Sequence, residues 1–141
     1  MNKVPLLSCI ALTLFLLANG APTLPPPPTV LQYLLRDLIK VQDKLQNVSE
    51  RMKKYELHIP SNTSSMADLQ CFTKELTPVA GALKYESKAQ TIQEYINNIN
   101  ETVNSLTGTE TTQCHYATKM KIEGFFKEFV SFSQKLRALT Q

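Results

Sequence analysis

The side chains best suited to covalent, metal or acid–base chemistry in this 141-residue chain are three cysteines, two histidines and scattered carboxylates. Cys114 and His115 are adjacent, which invites a metal reading. A closed zinc site needs four ligands, and with Cys71 paired too few remain. Glu94 and Glu101 stand seven residues apart, but a solvated helix face explains them without general acid–base work. No HExxH, glycine-rich phosphate loop or GxSxG elbow occurs. An enzyme or metalloprotein reading has no constellation to rest on, and no cofactor is called for.

What the cysteines do depends on the compartment they reach. Lys3 is followed by a largely apolar run from Val4 to Leu17 and by Ala18-Asn19-Gly20. A basic start, a short apolar middle and small closing residues make a secretory signal peptide, residues 1–20, with cleavage expected before Ala21. The alternative is a retained anchor. The run is shorter than the ~20 residues that span a bilayer, and Pro22 and Pro25 to Pro28 follow at once. Cys9 leaves with the signal. Cys71 and Cys114, 43 residues apart, are then expected to form one disulfide in an oxidising compartment; two free thiols or an intermolecular bridge are the alternatives. A loop of that size contributes about 4 kcal/mol on the chain-entropy estimate. Asn47, Asn62 and Asn100 each open an N-glycosylation sequon, and Thr23 is an O-glycosylation candidate.

The balance of 15 Lys and Arg against 12 Asp and Glu gives a net charge of +3. So mild an excess, thinly scattered, argues against nucleic-acid binding and against a polybasic membrane tract. No apolar run after the signal is long enough to insert in a membrane.

The elements that must position these residues are helices. The Pro-rich residues 21–28 read as an extended arm, and residues 29–141 as one domain. Thr29 and Gln32 stand in capping-box spacing. Behind them Leu31, Leu34, Leu38, Val41, Leu45, Val48 and Met52 step by three and four, one seam of about six turns. A second helix is predicted from Ser64 or Ser65, with Met66, Leu69, Phe72, Leu76, Val79 and Leu83 on one side and an interruption at Pro78, either a kink or a division into two short helices. A third starts at Thr91 with Glu94 in capping-box spacing. Its seam is Ile92, Ile96, Ile99, Val103 and Leu106, and Gly108 stops it. The last spans about Thr118 to Leu139 on Ile122, Phe125, Phe129, Phe132, Leu136 and Leu139, widened by Phe126 and Val130. No strand or hairpin signal is evident. The long linkers, roughly 53–64 and 107–117, let successive helices run parallel. The pattern suits an all-α fold, an up-up-down-down four-helix bundle with long crossovers and one disulfide.

A chain without catalytic groups acts through its surface. At 100° per residue, Asp37 lies roughly 60° off the first seam, in a stripe with Tyr33, Lys40 and Lys44. Asn98 lies roughly 120° off the third seam beside Thr91, Tyr95 and Thr102. Gln134 faces nearly opposite the last seam, near Glu123 and Lys127. Tyr33 and Tyr95 are the better interface candidates, because partly exposed tyrosines are enriched there.

Several segments, taken in order, resemble the interleukin-2 family of short-chain four-helix cytokines. They are Leu6-Leu-Ser-Cys-Ile-Ala-Leu12, Ala21-Pro-Thr23, Leu34-Leu-Arg-Asp-Leu38, Leu69-Gln-Cys-Phe-Thr-Lys-Glu-Leu-Thr-Pro78, Asn97-Asn-Ile-Asn100 and Leu106-Thr-Gly-Thr-Glu-Thr-Thr112. The resemblance runs through nearly the whole chain and is weakest in the first linker. It implies a secreted monomer that bridges beta and common gamma receptor chains, with an alpha chain as a further partner, and drives lymphocyte growth and immune regulation through JAK-STAT signalling. The Cys71–Cys114 bridge matches the family disulfide. By position, Asp37, Asn98 and Glu94 match beta-chain contacts, with Tyr33 and Arg36 neighbouring but different in type. Gln134 matches the gamma contact. Arg51, Tyr55 and Glu75 match alpha contacts, whereas Glu56 replaces a lysine and His58 a tyrosine. Ser133 replaces an unpaired cysteine. The competing readings are a sister cytokine of the interleukin-15 or interleukin-21 kind, which usually carries a second disulfide, and a helical carrier holding an apolar ligand among Phe125, Phe126, Phe129 and Phe132.

Overall fold

A computed structural model describes residues 25–141. The signal peptide, its cleavage point and Thr23 lie outside the described residues. The elements are α1 (Pro27–Leu45), α2 (Glu50–Lys53), β1 (Glu56–Pro60), a 3₁₀ turn (Met66–Asp68), α3 (Leu69–Leu83), α4 (Gln90–Thr107), β2 (Tyr116–Lys121) and α5 (Ile122–Thr140).

Four helices, α1, α3, α4 and α5, make the bundle, and the grooves between them fix their directions. Val30 and Tyr33, early in α1, share a groove with Glu101, Thr102 and Ser105, late in α4. Lys44, at the other end of α1, shares one with Thr91 and Ile92, early in α4. Gln42 and Gln46 meet Glu123 and Lys127, early in α5. So α1 is antiparallel to both α4 and α5. The short 84–89 connection folds α3 back along α4, which leaves α3 parallel to α1. This is the up-up-down-down order, and its two parallel steps require the two long crossovers.

The seams predicted from periodicity supply most of the core, with Val48, Met66, Leu106 and Val130 only partly buried against it. Leu31, Leu34, Leu38, Val41 and Leu45 are buried on α1, Leu69, Phe72, Leu76, Val79 and Leu83 on α3, and Ile92, Ile96, Ile99 and Val103 on α4. Phe72 stacks on Phe129 at a ring-centroid distance of 4.6 Å. Phe125 meets Phe126 edge-on at 5.6 Å. All four α5 phenylalanines are buried, so these rings fill the core with one another. Leu139 departs from expectation: it is 69% exposed, because the last turn of α5 runs past the packed bundle.

Several boundaries differ from those the sequence predicts. The first helix begins at Pro27, not Thr29. Proline is tolerated in the first turn, where the missing amide would be unbonded in any case, so the helix takes in Pro27 and Pro28, which the sequence assigned to the arm, and the Thr29–Gln32 box does not form. That helix ends at Leu45 instead of running to Met52. Ser49 accepts from the Met52 N–H and caps the separate α2, a local bond that competes with a continuing helix. α3 runs through Pro78 as one helix instead of dividing into two short ones. The burial of Val79 and Leu83 on that last turn outweighs the lost amide. α4 starts at Gln90 with Ala89 as its cap and no side-chain cap bond, so Thr91 and Glu94 do not box it. Gly108 ends it as expected: its φ of 58° suits glycine, and its N–H reaches the Asn104 carbonyl at 2.9 Å.

The largest correction concerns the linkers. Each contributes a strand, and β1 pairs antiparallel with β2, setting Glu56 opposite Lys121, Leu57 opposite Met120, His58 opposite Lys119 and Pro60 opposite Tyr116, with a register shift between His58 and Pro60. The residues assigned to the start of the last helix, from Thr118, belong to β2. The Ile122 N–H bonds the Tyr55 carbonyl and the Ser61 N–H that of His115, both at 2.8 Å, which extends the ladder beyond the strands. Gly124 lets the pair sit close to α5, since a Cβ there would lie 3.3 Å from Met120 Sδ. The two crossovers therefore brace each other instead of hanging free.

The Cys71–Cys114 disulfide is formed, with Cα atoms 5.5 Å apart. Three further contacts hold the second crossover to α3 and to the 3₁₀ turn before it. Tyr116 Oη donates to the Cys71 carbonyl at 3.0 Å, Gln70 Nε2 to the Glu110 carbonyl at 2.7 Å, and Thr112 Oγ1 to Asp68 Oδ1 at 3.1 Å. Burial alone would raise the Asp68 pKa. The hydrogen bonds from Ser64, Ser65 and Thr112 outweigh it and hold that carboxyl below the usual range.

Candidate functional site

The flank where α1 and α4 meet carries the first set of candidates. Grooves at both ends of the helix pair are lined by the predicted stripes: Tyr33 with Thr102 at one end and Lys44 with Thr91 at the other. Asp37 and Asn98 fall between those ends on the same stripes. Tyr33 is 40% exposed, and Arg36 stacks over its ring at 5.3 Å. Asp37 is half-buried; burial raises its pKa, partly offset by Arg36. Asn98 is exposed, and Tyr95 packs partly against the core. Glu94 is exposed farther round α4.

A second set gathers where α2, β1 and α3 meet, and here most of the charged groups are engaged internally. Arg51 Nη2 donates to Glu86 Oε2 at 2.8 Å and to the Ala82 carbonyl at 3.2 Å. Its guanidinium lies 5.8 Å from the Tyr85 ring centroid. Glu86 also accepts from the Ser49 N–H at 2.9 Å and the Ser49 hydroxyl at 2.7 Å. These Ser49 bonds, then Arg51, hold the Glu86 carboxyl below its ordinary range. Glu75 Oε1 accepts from the His58 N–H at 2.8 Å and lies 3.3 Å from His58 Nδ1. Tyr55 is half-buried against the core. Glu56 projects outward across from Lys121.

Glu86 and Tyr85 were not among the sequence candidates. Tyr85 is 82% exposed in the polar run Lys84 to Lys88, and a lone aromatic off any seam in such a run was the available signal. Glu86 gave none, because its partners are 37 and 35 residues away in sequence.

The third candidate is Gln134, exposed on α5 and not brought near the other two sets by any bond described. Beside it Ser133 is wholly buried, and neither its hydroxyl nor Arg137 Nε has a hydrogen-bond partner among the described residues. The sequons differ in setting: Asn47 and Asn62 are exposed and Asn100 is half-buried. Asn62 adopts a φ of 57°, a left-handed conformation that asparagine tolerates. Among the described residues no three His, Cys, Asp or Glu side chains are grouped to hold a metal ion. No described helix is long and apolar enough to cross a membrane.

The geometry is thus a braced helical bundle with exposed candidates on the α1–α4 flank and on α5, and one charged crossover. Comparison with known proteins agrees with it. The profile of the family described as Interleukin 2 matches residues 7–138. Interleukin-2 of Oryctolagus cuniculus is 34% identical over 96% of both chains. That of Sus scrofa is 35% identical over 96% of this chain and 97% of its own length, and that of Macaca fascicularis 33% over the same shares.

Proposed function

The chain belongs to the interleukin-2 family, and from that premise we propose that it is a secreted ligand which bridges a beta and a common gamma receptor chain. It is a cytokine of the interleukin-2 type and not an enzyme. In this reading Asp37, Tyr33 and Asn98, with Glu94 at the margin, meet the beta chain, and Gln134 meets the gamma chain. Bringing the two chains together starts JAK-STAT signalling and lymphocyte growth. The observation that carries the reading is the α1–α4 flank. It holds a half-buried carboxylate, an exposed tyrosine stacked by arginine and an exposed asparagine, and tyrosine and arginine are the residue types that concentrate binding energy.

An alpha chain would meet Arg51, Tyr55 and Glu75. Arg51 is held by Glu86 and Glu75 by His58, so binding there requires either breaking those pairs or reading them as they stand. Binding to separately immobilised alpha, beta and gamma ectodomains of the same species tests the whole reading. Saturable binding to the beta chain, strengthened when the gamma chain is added, is the expected result. No binding to either would overturn it. The carrier reading finds no support, because the α5 phenylalanines fill the core.

A further inference from the structure

We propose that Asn47 carries an N-linked glycan that narrows access to the α1–α4 flank and so restrains beta-chain binding; the second half rests on the receptor reading above. Among the three sequons, Asn47 combines exposure with a defined direction of attachment. It lies in the break between α1 and α2, exposed, with its N–H still bonded to the Lys44 carbonyl at 3.1 Å. Two residues on, Ser49 is fixed by Glu86 through both its amide and its hydroxyl. The root of the glycan is therefore held relative to α1.

The place it opens into is the argument for function. Asn47 lines an open groove of about 610 Å³ together with Lys44, Val48, Ser87, Lys88 and Thr91. Lys44 continues the Tyr33–Asp37 stripe, and Thr91 continues the Asn98 stripe. At 1.5 Å per helical residue, the end of α1 at Leu45 stands roughly 12 Å along the axis from Asp37, and Asn47 lies two residues beyond it. A typical interface buries about 800 Å² per partner, a disc of about 16 Å radius. A contact centred near Asp37 therefore reaches the root of the glycan at its rim. A branched sugar there obstructs approach without occupying the centre, so binding weakens and is not abolished. Asn62 lies beyond the end of β1, and Asn100 is half-buried roughly 200° around α4 from Asn98. Neither opens onto this groove.

The test uses the full chain secreted from mammalian cells, compared with Asn47→Gln from the same cells. Ser49 is left intact so that its bonds to Glu86 survive. Peptide mapping should find the glycan on Asn47. On immobilised beta-chain ectodomain, Asn47→Gln should bind about threefold to tenfold more tightly. Enzymatic removal of the glycan from the folded wild type should give the same gain, which guards against a folding effect of the substitution. Asn62→Gln should give none. An unmodified Asn47, or equal affinity with and without its glycan, overturns the inference. If the glycan-free protein binds no beta chain at all, the receptor reading itself falls and takes this inference with it.

Discussion

Ser133 shows how a single buried atom affects stability. Its hydroxyl is enclosed on α5 without a partner among the described residues, and an unpaired buried polar group costs about 1–3 kcal/mol. Ser133→Ala is expected to raise stability by about 1 kcal/mol in denaturant titration, and a loss above that size would show that the hydroxyl is bonded. Glu86 makes the opposite case. It ties α2 to the end of α3 through Ser49 and Arg51, so Glu86→Gln should loosen residues 49–53 in hydrogen exchange while the bundle core stays protected. Asp68 and Glu86 both have lowered pKa values. A carboxyl lowered in the folded state contributes stability above its unfolded pKa and loses it as pH falls through the folded one. Stability should therefore hold from neutral pH to about 5 and decline below about 4, less steeply in Glu86→Gln, as thermal melts across that range would show. At this scale the sequence was only partly legible. Asp37, Asn98 and Gln134 could be placed on faces because helical phase follows from spacing alone. The engagement of Arg51 by Glu86 and of Glu75 by His58 could not, because each joins groups brought together only by the tertiary fold.

Among the elements, the paired crossovers are held by a strand pair and a disulfide as well as by packing on the helices. The disulfide closes its loop beside the strand pair, and replacing Cys71 and Cys114 together by alanine should cost ~2–5 kcal/mol. Peptide mapping that found either thiol free in the secreted protein would contradict the bridge. The phase of α4 can be tested in the same spirit. Asn100→Gln should alter beta-chain affinity by less than about threefold, well under 1 kcal/mol, since Asn100 points away from Asn98; a larger change would mean that α4 is rotated from this phase. The four long helices were readable because sustained three–four periodicity survives every local irregularity. Their ends were not: Pro27 and Pro78 obey positional rules that packing can override, and Ser49 breaks a seam whose apolar spacing continues across it to Met52. The strands were missed for a related reason. Residues 56–59 do alternate exposed and buried, but β2 is exposed along most of its length and carries almost no apolar pattern. Pairing with β1 and docking on α5 make it a strand.

For the molecule as a whole, the central claim is that two faces of one rigid bundle meet different receptor chains, which requires that damage to one face leave the other intact. α1 contributes to both grooves, with α4 on one side and α5 on the other, so separability is not guaranteed by distance. It depends on the buried seams, which none of the proposed contact residues enters. Asp37→Lys places a cation where a half-buried carboxylate stood and should abolish beta-chain binding through charge reversal in a desolvated contact. Gln134→Asp should spare the beta chain and weaken recruitment of the gamma chain. The most direct measurement is the binding of wild type, Asp37→Lys and Gln134→Asp to immobilised beta ectodomain, with gamma ectodomain then added and each variant's helicity checked by circular dichroism. Loss of the first step in Asp37→Lys and of only the second in Gln134→Asp, with helicity unchanged, is the expected result. If both well-folded variants assemble the two chains as the wild type does, the two-face account is wrong.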